Sequence, residues 1–362
     1  MVKSLYIHIP FCQKICDYCD FTKLQYFHNF AVSYLNSLEK DLKDNVPILD
    51  YETIYVGGGT PTVLEDELLE KLLILLKPYA KNVKEYTFET NPETLTKHKV
   101  ELLSRYGVNR VSIGVESTND EILKAINRGH TFADVVNSVS LLRENNINNI
   151  NLDLILGLPN VSEKMLKKDL KNILSLNPDH ISTYSLTVHE HTVFYLNKIE
   201  EPDNDYSRHL YDLVHETLIN HGYEHYEVSN FAKPGKKSEH NLTYWRNEEY
   251  YAAGLGASGY VDDIRYKNTT NFSKYIENNF EKEIEKVTLK DKFEYQIMLN
   301  LRTFEGLDLS RVRNIYNKDI YKEKQSTIDK YINNGYLIKQ GNILKATYEG
   351  MMILDQIIVD LI

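Results

Sequence analysis

Cysteine is almost missing from this sequence: its 362 residues include only 3 cysteines, at positions 12, 16 and 19. An odd number of cysteines does not suit a disulfide framework, and no charged and then apolar leader stands at the N-terminus. We therefore expect a reducing, cytoplasmic compartment. Basic residues are also outnumbered by acidic ones: the sequence has 42 Lys and Arg against 52 Asp and Glu, which gives a net charge of −10. Because a nucleic-acid backbone attracts a basic face, a nucleic-acid partner is not expected.

Long apolar runs are absent as well. The longest, such as residues 72–76, lie within amphipathic helical patterns and fall short of the roughly 20 residues that a membrane-spanning helix needs. Hydrophobic residues make up 42% of the chain and charged residues 26%, which is the composition of an ordinary globular protein. Peripheral contact with a membrane stays open on these grounds.

The cysteines that are present lie close together, in the segment Cys12-Gln-Lys-Ile-Cys16-Asp-Tyr-Cys19. A cubane [4Fe–4S] cluster normally takes a thiolate on each iron, so three cysteines leave one iron open. An open position is what distinguishes a catalytic metal site from a closed structural one. The alternative is zinc with His8 or His28 as fourth ligand, but such zinc sites pair a C-x2-C knuckle with a second ligand pair, which is missing. The spacing favours an iron–sulfur cluster.

Short β-branched runs alternate with helical periodicity through the first half of the chain. Strands are predicted at 5–9, 53–56, 85–89, 110–115, 151–156 and 180–186, and helices at 31–43, 64–79, 97–106, 119–127, 132–145 and 162–174. Such repeats predict a parallel sheet that right-handed crossovers curl into a partial (β/α)6, TIM-like barrel. Polar motifs fall at or just past the strand ends: Cys12, Gly57, Glu89, Glu116, Asp153 and Thr187. Barrel enzymes build their sites on that face.

The second half of the chain is less regular. It predicts a helix at 206–221, a strand at 224–228, helices at 290–301 and 321–334, two strands around a Gly341-Asn342 turn, and a closing helix at 348–361. We therefore expect a C-terminal α+β region ending in a winged-helix-like module. Because the acidic charge disfavours the usual DNA-binding role of such a module, we interpret it as a lid or docking element. Three units are expected: the barrel at 1–190, an extension at 191–285 and the module at 286–362.

The segment Tyr6-Ile-His-Ile-Pro-Phe-Cys12-x3-Cys16-x-Tyr-Cys19 resembles the opening of radical S-adenosylmethionine (SAM) proteins of the HemN/HemW group. The resemblance continues in order through Gly57-Gly-Gly-Thr-Pro-Thr62, Glu89-Thr-Asn-Pro92, Arg110-Val-Ser-Ile-Gly-Val-Glu116, Asp153-Leu-Ile-Leu-Gly-Leu-Pro159 and His240-Asn-Leu-Thr-Tyr-Trp245. It implies an open (β/α)6 barrel with a [4Fe–4S] cluster on Cys12, Cys16 and Cys19, and SAM chelating the fourth iron through its amino and carboxylate groups. In that family the reduced cluster cleaves SAM to a 5′-deoxyadenosyl radical, so a low-potential electron donor of the flavodoxin or ferredoxin type is implied.

The glycine run after the second predicted strand is a candidate ligand contact. Glycines let a backbone approach a ligand closely, although a tight structural turn would also need them. The resemblance implies that Gly58, Gly59 and Thr60 contact the methionine part of SAM. Glu89 is expected to accept hydrogen bonds from the SAM ammonium or a ribose; the alternative is a solvated loop carboxylate.

Further SAM contacts follow from the resemblance alone. It implies that Arg128 holds the SAM carboxylate, which a fork-shaped guanidinium suits, and that Asp153 holds the ribose. It also implies that Tyr6 lies near the cluster-bound SAM, that Tyr18 packs beside the adenosyl pocket, and that Thr187 makes a backbone contact. Either tyrosine could instead be an ordinary half-buried residue.

Glu116 departs from the family pattern, which usually has Gln in the Gly-Val-Gln motif. Gln offers donors, whereas an ionised Glu offers only acceptors. If position 116 contacts SAM or its ribose, the hydrogen bonding must differ here. The departure bears on a second SAM site and leaves the cluster ligands unaffected.

Three features separate the two branches of the group. Coproporphyrinogen dehydrogenases carry a cysteine where this chain has Phe21, and a long extension before the Tyr6-type residue, where only 5 residues stand here. Haem chaperones carry His-Asn-x-x-Tyr-Trp, present at residues 240–245. All three features favour the chaperone branch. His240 offers an imidazole for haem iron, and Tyr244 and Trp245 offer flat faces; the alternative is that His240 and Trp245 hold a loop on the barrel mouth.

We therefore expect a haem-binding and haem-transfer protein on a radical SAM scaffold, with haem and an unidentified haem-acceptor protein as its partners. The first alternative is a radical enzyme that decarboxylates coproporphyrinogen III or carries out a related anaerobic tetrapyrrole reaction. The second alternative is a zinc-stabilised binding module.

Overall fold

The computed structural model describes residues 2–362, and the first half of the chain forms the predicted strand–helix alternation. In chain order the elements are β1 (Ser4–Ile9), β2 (Phe11–Cys12), β3 (Leu24–Gln25), α1 (His28–Asn45), β4 (Thr53–Gly58), α2 (Asp66–Leu76), β5 (Glu85–Thr90), α3 (Lys97–Arg105), β6 (Arg110–Glu116), α4 (Asp120–Ala125), α5 (Phe132–Glu144), β7 (Asn149–Leu156), α6 (Glu163–Ser175) and β8 (His180–Ser185). Strands β1, β4, β5, β6, β7 and β8 pair in this order, all parallel. The predicted α/β partial barrel is confirmed.

The sheet continues on both sides beyond the predicted strands. The middle of the chain forms α7 (Val193–Leu196), α8 (Asn204–Asn220), β9 (Glu224–Glu227), β10 (Asn230–Ala232), α9 (Glu239–Trp245), β11 (Tyr250–Ala253), β12 (Ser258–Val261), β13 (Ile264–Asn268), α10 (Phe272–Ile276) and β14 (Lys282–Lys286). The whole sheet has 12 strands, in the order β14-β13-β12-β11-β1-β4-β5-β6-β7-β8-β10-β9. Strand β11 is parallel to β1, and β10 is antiparallel to β8.

Alternation along each strand decides what faces the barrel interior. In β1 the side chains of Leu5, Ile7 and Ile9 are fully buried in the main core. Tyr6 and His8 lie between them and line a cavity. Successive side chains of a strand point to opposite faces, so this pattern puts apolar residues under the helices and polar residues inside the barrel.

Several helices begin at hydrogen-bonding caps that fix where the connecting loops end. Helix α5 begins at a capping box between Thr131 and Asp134, and α6 at Ser162, whose side chain accepts from Met165 N. Among residues 2–362, no helix combines the length and the hydropathy that crossing a bilayer requires.

The C-terminal part has a core of its own. It forms α11 (Leu289–Asn300), β15 (Leu307–Asp308), α12 (Leu309–Tyr316), α13 (Ile320–Glu323), α14 (Gln325–Asn333), β16 (Leu337–Gln340), β17 (Ile343–Ala346), α15 (Tyr348–Met352) and α16 (Leu354–Leu361). The predicted helices at 321–334 and 348–361 are each split in two. Ile297, Leu344 and Ile357 are fully buried between these helices and the antiparallel sheet β15-β17-β16. The winged-helix likeness and the division into three units stay predictions.

Candidate functional site

The three cysteines line one cavity of about 410 Å³ at the carboxyl ends of the barrel strands, named here the cysteine cavity. Cys12 ends β2 and is buried, whereas Cys16 and Cys19 lie in the loop before β3 and are half-buried. Burial raises the pKa of the Cys12 thiol to about 12 and also raises that of Cys19. Both thiols therefore keep their protons until a metal displaces them.

The cysteine cavity suits a multi-iron cluster. Among residues 2–362, no group of three or more His, Cys, Asp or Glu side chains is arranged to hold a single metal ion. Three sulfur ligands nevertheless face one cavity, and the rest of its lining includes carboxylates, a guanidinium, ammonium groups and the His189 imidazole, but no fourth thiol. This donor set fits a [4Fe–4S] cluster with one iron left for another ligand.

The cysteine loop is anchored at both flanks. Asn127 Nδ2 donates to the Ile15 carbonyl at 2.8 Å, and the His8 ring lies with Nε2 2.8 Å from the Thr22 carbonyl. Burial lowers the pKa of His8 to about 4, so the ring is neutral and its single N–H is the donor to Thr22. These bonds fix the loop before any metal binds.

The glycine turn after β4 packs against the cysteine strand. Gly58 has a φ of +108°, which favours glycine. A Cβ at Gly59 would lie 2.6 Å from the Phe11 carbonyl oxygen. The Thr60 amide donates to that same oxygen at 2.7 Å, and the Thr60 hydroxyl lies 3.9 Å from Cys12 Sγ. At Gly59 the space that a side chain would need is therefore filled by the protein's own backbone.

Glu89 is held on the cavity wall by protein donors. Tyr55 donates its hydroxyl to one carboxylate oxygen at 2.7 Å, and the Gly58 amide donates to the other at 2.8 Å. Burial raises the pKa of Glu89 to about 7. Glu89 is therefore not a solvated loop carboxylate, although each oxygen keeps a lone pair for a ligand.

Arg128 and Glu116 lie together in the lining of the same cavity. Arg128, 8% exposed, donates to Cys16 Sγ at 3.4 Å, to Asn91 Oδ1 at 3.0 Å and to the Gly114 carbonyl, while its Nε has no hydrogen-bond partner. The Glu116 carboxylate lies 3.8 Å from the guanidinium. Burial raises the pKa of Glu116 to about 7 against the attraction of Arg128.

Asp153, Tyr18 and Thr187 also line the cysteine cavity. Asp153 accepts from Asn151 Nδ2 at 2.7 Å and from the Ser112 hydroxyl at 3.2 Å, and burial raises the pKa of the Asp153 carboxyl. The structure thus brings together all the predicted site residues except Tyr6 and His240.

Tyr6 and His240 line a neighbouring cavity of about 490 Å³, named here the tyrosine cavity. Its other lining residues include His8, Tyr55, Glu89, Tyr184, Tyr244, Tyr250 and Lys267. The two cavities share Asp20, Phe21, Glu89 and Tyr184. The predicted site residues therefore fall on two adjacent cavities with a common wall.

His240 lies on α9 at the amino ends of the barrel strands, not at the barrel mouth. It is fully buried, with Nδ1 2.8 Å from Thr53 Oγ1 and Nε2 2.7 Å from the Tyr244 hydroxyl. Burial lowers the pKa of His240 to about 3, so the ring is neutral. Trp245 packs instead against the small core formed by residues that include Tyr226.

Sequence reasoning missed several contacts of the site. Asn91 contacts Arg128, although it belongs to the Glu89-Thr-Asn-Pro92 segment, so a signal was present. Tyr184 lies near the end of β8, where the strand-end rule could have found it. Lys23 Nζ lies 2.5 Å from the Cys19 carbonyl oxygen, and nothing in the sequence pattern predicts that bond.

Family models match most of the chain in two pieces. A model of the radical SAM superfamily matches residues 6–173, which include the cysteines and the barrel strands through β7. A model of the HemN C-terminal domain matches residues 287–353.

Curated relatives match nearly the whole length. Three proteins named heme chaperone HemW are 36% identical over 368 residues (Bacillus subtilis, 97% of this chain and 97% of the relative), 37% identical over 357 residues (Lactococcus lactis, 96% and 94%) and 33% identical over 372 residues (Escherichia coli, 98% and 97%). A solved structure of coproporphyrinogen III oxidase (HemN) from Escherichia coli, described as a radical SAM enzyme, aligns with a TM-score of 0.85 at 23% identity, covering 99% of this chain and 90% of that one. That likeness establishes the fold.

Proposed function

The chain belongs to the HemW family of radical SAM proteins, and from that premise we propose that it binds haem and transfers it to a haem-acceptor protein, with a [4Fe–4S] cluster and SAM as its cofactors. One observation carries the proposal: a cavity lined by three cysteines shares a wall with a second cavity lined by tyrosines and the His240 segment. A protein that holds a cofactor and a cargo side by side needs two such cavities.

The cysteine cavity supplies ligands for the cluster and for SAM. Cys12, Cys16 and Cys19 would hold three irons, and the amino and carboxylate groups of SAM would take the fourth. In this superfamily the reduced cluster supplies an electron to SAM. A donor of the flavodoxin or ferredoxin type would reduce the cluster here. Arg128 presents its guanidinium to a carboxylate, and Glu116 presents acceptors to an ammonium or to ribose hydroxyls.

Glu89, Gly58, Gly59, Thr60, Asp153, Tyr18, Thr187 and Tyr6 complete the proposed SAM environment. Glu89 and Asp153 keep lone pairs beyond their protein bonds and can accept from hydroxyl or ammonium groups. Tyr6 differs from the others because it faces the tyrosine cavity. Its proposed contact with SAM is therefore across the shared wall.

The tyrosine cavity suits a flat ligand that carries carboxylates. Its volume of about 490 Å³ lies within the ~300–1,000 Å³ of small-molecule and cofactor sites. Tyr184, Tyr244 and Tyr250 present aromatic surface, and Lys267 presents an ammonium group. We propose that haem lies here, with a carboxylate near Lys267 and its iron near the His240 segment.

The rival function is decarboxylation of coproporphyrinogen III. Phe21 stands where the dehydrogenase branch carries a cysteine, and its side chain is 64% exposed beside both cavities. The HemN likeness at 23% identity speaks for the shared fold and not for the reaction.

The test is anaerobic purification and reconstitution, with iron, sulfide and haem quantified and SAM cleavage assayed with haem or coproporphyrinogen III. We expect about four irons per chain, stoichiometric haem, transfer of that haem to apomyoglobin as a general acceptor, and no consumption of porphyrinogen. Loss of two propionates as carbon dioxide with consumption of SAM would instead assign the chain to the dehydrogenase reaction.

A further inference from the structure

Both ring nitrogens of His240 are engaged in hydrogen bonds. The Thr53 hydroxyl donates to Ser4 Oγ at 2.9 Å, so it accepts from His240 Nδ1, 2.8 Å away. Nδ1 therefore carries the proton, which leaves Nε2 as the acceptor. The Tyr244 hydroxyl, 2.7 Å from Nε2, must be the donor in that bond.

His240 and Tyr244 both line the tyrosine cavity but differ in exposure. The His240 side chain is fully buried, and its Nε2 is covered by the hydroxyl of the half-buried Tyr244. A haem iron that bound His240 Nε2 would have to displace the Tyr244 hydroxyl. An iron that bound the Tyr244 oxygen would displace only a proton, and His240 Nε2 already stands where that proton would go.

We propose that Tyr244 is the ligand of ferric haem iron and that His240 is a positioning residue that accepts the Tyr244 proton; this inference rests on the proposed function. An iron–oxygen bond forms, the phenol O–H bond breaks, and the proton moves to Nε2 of His240, which keeps its Nδ1–H bond to Thr53. Burial alone lowers the pKa of His240 to about 3, so the imidazolium depends for its stabilisation on the phenolate oxygen, 2.7 Å away. No electron is transferred. Tyrosinate is an established haem ligand in other proteins.

Burial keeps the phenol neutral unless a cation lies close to its oxygen. Burial raises the pKa of Tyr244 well above its usual value, so ionisation needs a cation close to the oxygen. Ferric iron supplies that charge. The pair is held in place by aromatic neighbours: the Tyr250 ring lies 4.6 Å from the Tyr244 ring, edge to face, and the Tyr55 ring 5.2 Å from His240.

Two other tyrosines of this cavity also bond to a base. The Tyr6 hydroxyl lies 2.9 Å from His8 Nδ1, and Tyr55 donates to Glu89. His8 also holds the cysteine loop, and Glu89 also lines the cysteine cavity. Because SAM would occupy that side, iron bound at either pair would compete with the cofactor.

The Tyr244–His240 pair has no such tie to the cysteine loop. Its remaining side-chain hydrogen bond runs to Thr53 at the amino end of β4, and the His240 amide donates to Glu85 at the amino end of β5. Haem iron at this end of the tyrosine cavity leaves the shared wall to SAM. The placement of the three pairs therefore favours Tyr244.

The test compares ferric haem complexes of the full-length chain by absorption, EPR and resonance Raman spectroscopy. The unsubstituted protein should show a phenolate-to-iron charge-transfer band and phenolate Raman modes. Tyr244→Phe should lose both and hold ferric haem about tenfold more weakly, which is ~1.4 kcal/mol. His240→Gln can still accept a hydrogen bond but cannot take a proton, so the phenolate signals should weaken. Tyr6→Phe and Tyr250→Phe, which remove the same hydroxyl elsewhere in the cavity, should keep them.

Each outcome separates the inference from the proposed function. Unchanged spectra in Tyr244→Phe, or loss of the phenolate signals in Tyr6→Phe instead, would overturn the assignment of the iron ligand while haem binding itself stands. Absence of haem uptake by the unsubstituted protein would overturn the proposed function, and the ligand assignment with it. Cluster content and circular dichroism of every variant identify any that fail to fold.

Discussion

Replacing Glu116 by Gln should stabilise the apoprotein at alkaline pH. Glu116 ends β6 with a φ of +65°, and its carboxylate lies 3.8 Å from the Arg128 guanidinium. Burial nevertheless raises the pKa of Glu116 from 4.5 to about 7. A carboxyl whose pKa is higher in the folded than in the unfolded chain binds its proton more tightly when folded, so its ionisation destabilises the fold. The stability that protonated Glu116 contributes is fully present below pH 4.5 and is lost as the pH rises to about 7.

The size of the effect follows from the two pKa values. At 1.36 kcal/mol per pH unit, a pKa of about 7 in place of 4.5 corresponds to about 3 kcal/mol at pH 8. Glu116→Gln cannot ionise and should resemble the protonated side chain. Urea unfolding of the reduced apoprotein should therefore give similar free energies of unfolding for the two proteins near pH 4.5, and a variant more stable by up to about 3 kcal/mol at pH 8.

Glu93→Gln is a control for which the opposite change in the free energy of unfolding is expected. Burial would raise the pKa of Glu93, but His130, 3.5 Å away, and Arg128 outweigh it and the pKa is lowered. Ionised Glu93 therefore stabilises the fold above its unfolded pKa, and Glu93→Gln should be less stable than the unsubstituted protein at pH 8. If Glu116→Gln proves equally or less stable at pH 8, attraction to Arg128 outweighs burial, and the reasoning is refuted.

The remaining predictions concern the cluster and SAM. Replacing any one of Cys12, Cys16 or Cys19 by Ala should abolish uptake of about four irons on anaerobic reconstitution; stoichiometric zinc with no iron in the unsubstituted protein would contradict the cluster. SAM should perturb the EPR signal of the reduced cluster, and an unchanged spectrum would refute the open iron. Gly59→Val should lower iron uptake as well as the effect of SAM, because its Cβ would lie 2.6 Å from the Phe11 carbonyl oxygen beside Cys12; normal iron with a lost SAM effect would show that Gly59 serves the ligand alone.

The barrel strands were predictable because their signals are local. A β-branched run between helical patterns marks a strand wherever it lies, and its end marks the site face. The flanking strands lack such signals. Strand β14 (Lys282–Lys286) has the sequence Lys-Glu-Ile-Glu-Lys and is mostly exposed, so it resembles a charged loop. Strand β11 (Tyr250–Ala253) pairs with β1 (Ser4–Ile9), and pairing across most of the chain leaves no local pattern.

Most of the predicted site residues line the cysteine cavity, but their mutual contacts were harder to predict. Residues 240 and 244 are four apart, so a helix puts them on one face, and their hydrogen bond could have been predicted. Which end of the barrel α9 (Glu239–Trp245) covers is a matter of tertiary packing, so the sequence could not place His240 beside Thr53. The same holds for Gly59, because only the fold shows that the missing side chain makes room for Phe11.

The wall between the two cavities relates the proposed cofactor to the proposed cargo. Glu89 accepts from Tyr55, which lines the tyrosine cavity, and from the amide of Gly58, which lines the cysteine cavity. A ligand in one cavity that donates a hydrogen bond to Glu89 changes the acceptor strength of its oxygens toward a ligand in the other cavity. Binding free energies are linked reciprocally, so whatever factor SAM imposes on haem affinity, haem must impose on SAM affinity. If SAM and haem bind as proposed, the shared carboxylate would let SAM influence haem binding by direct contact, without any movement of the C-terminal module.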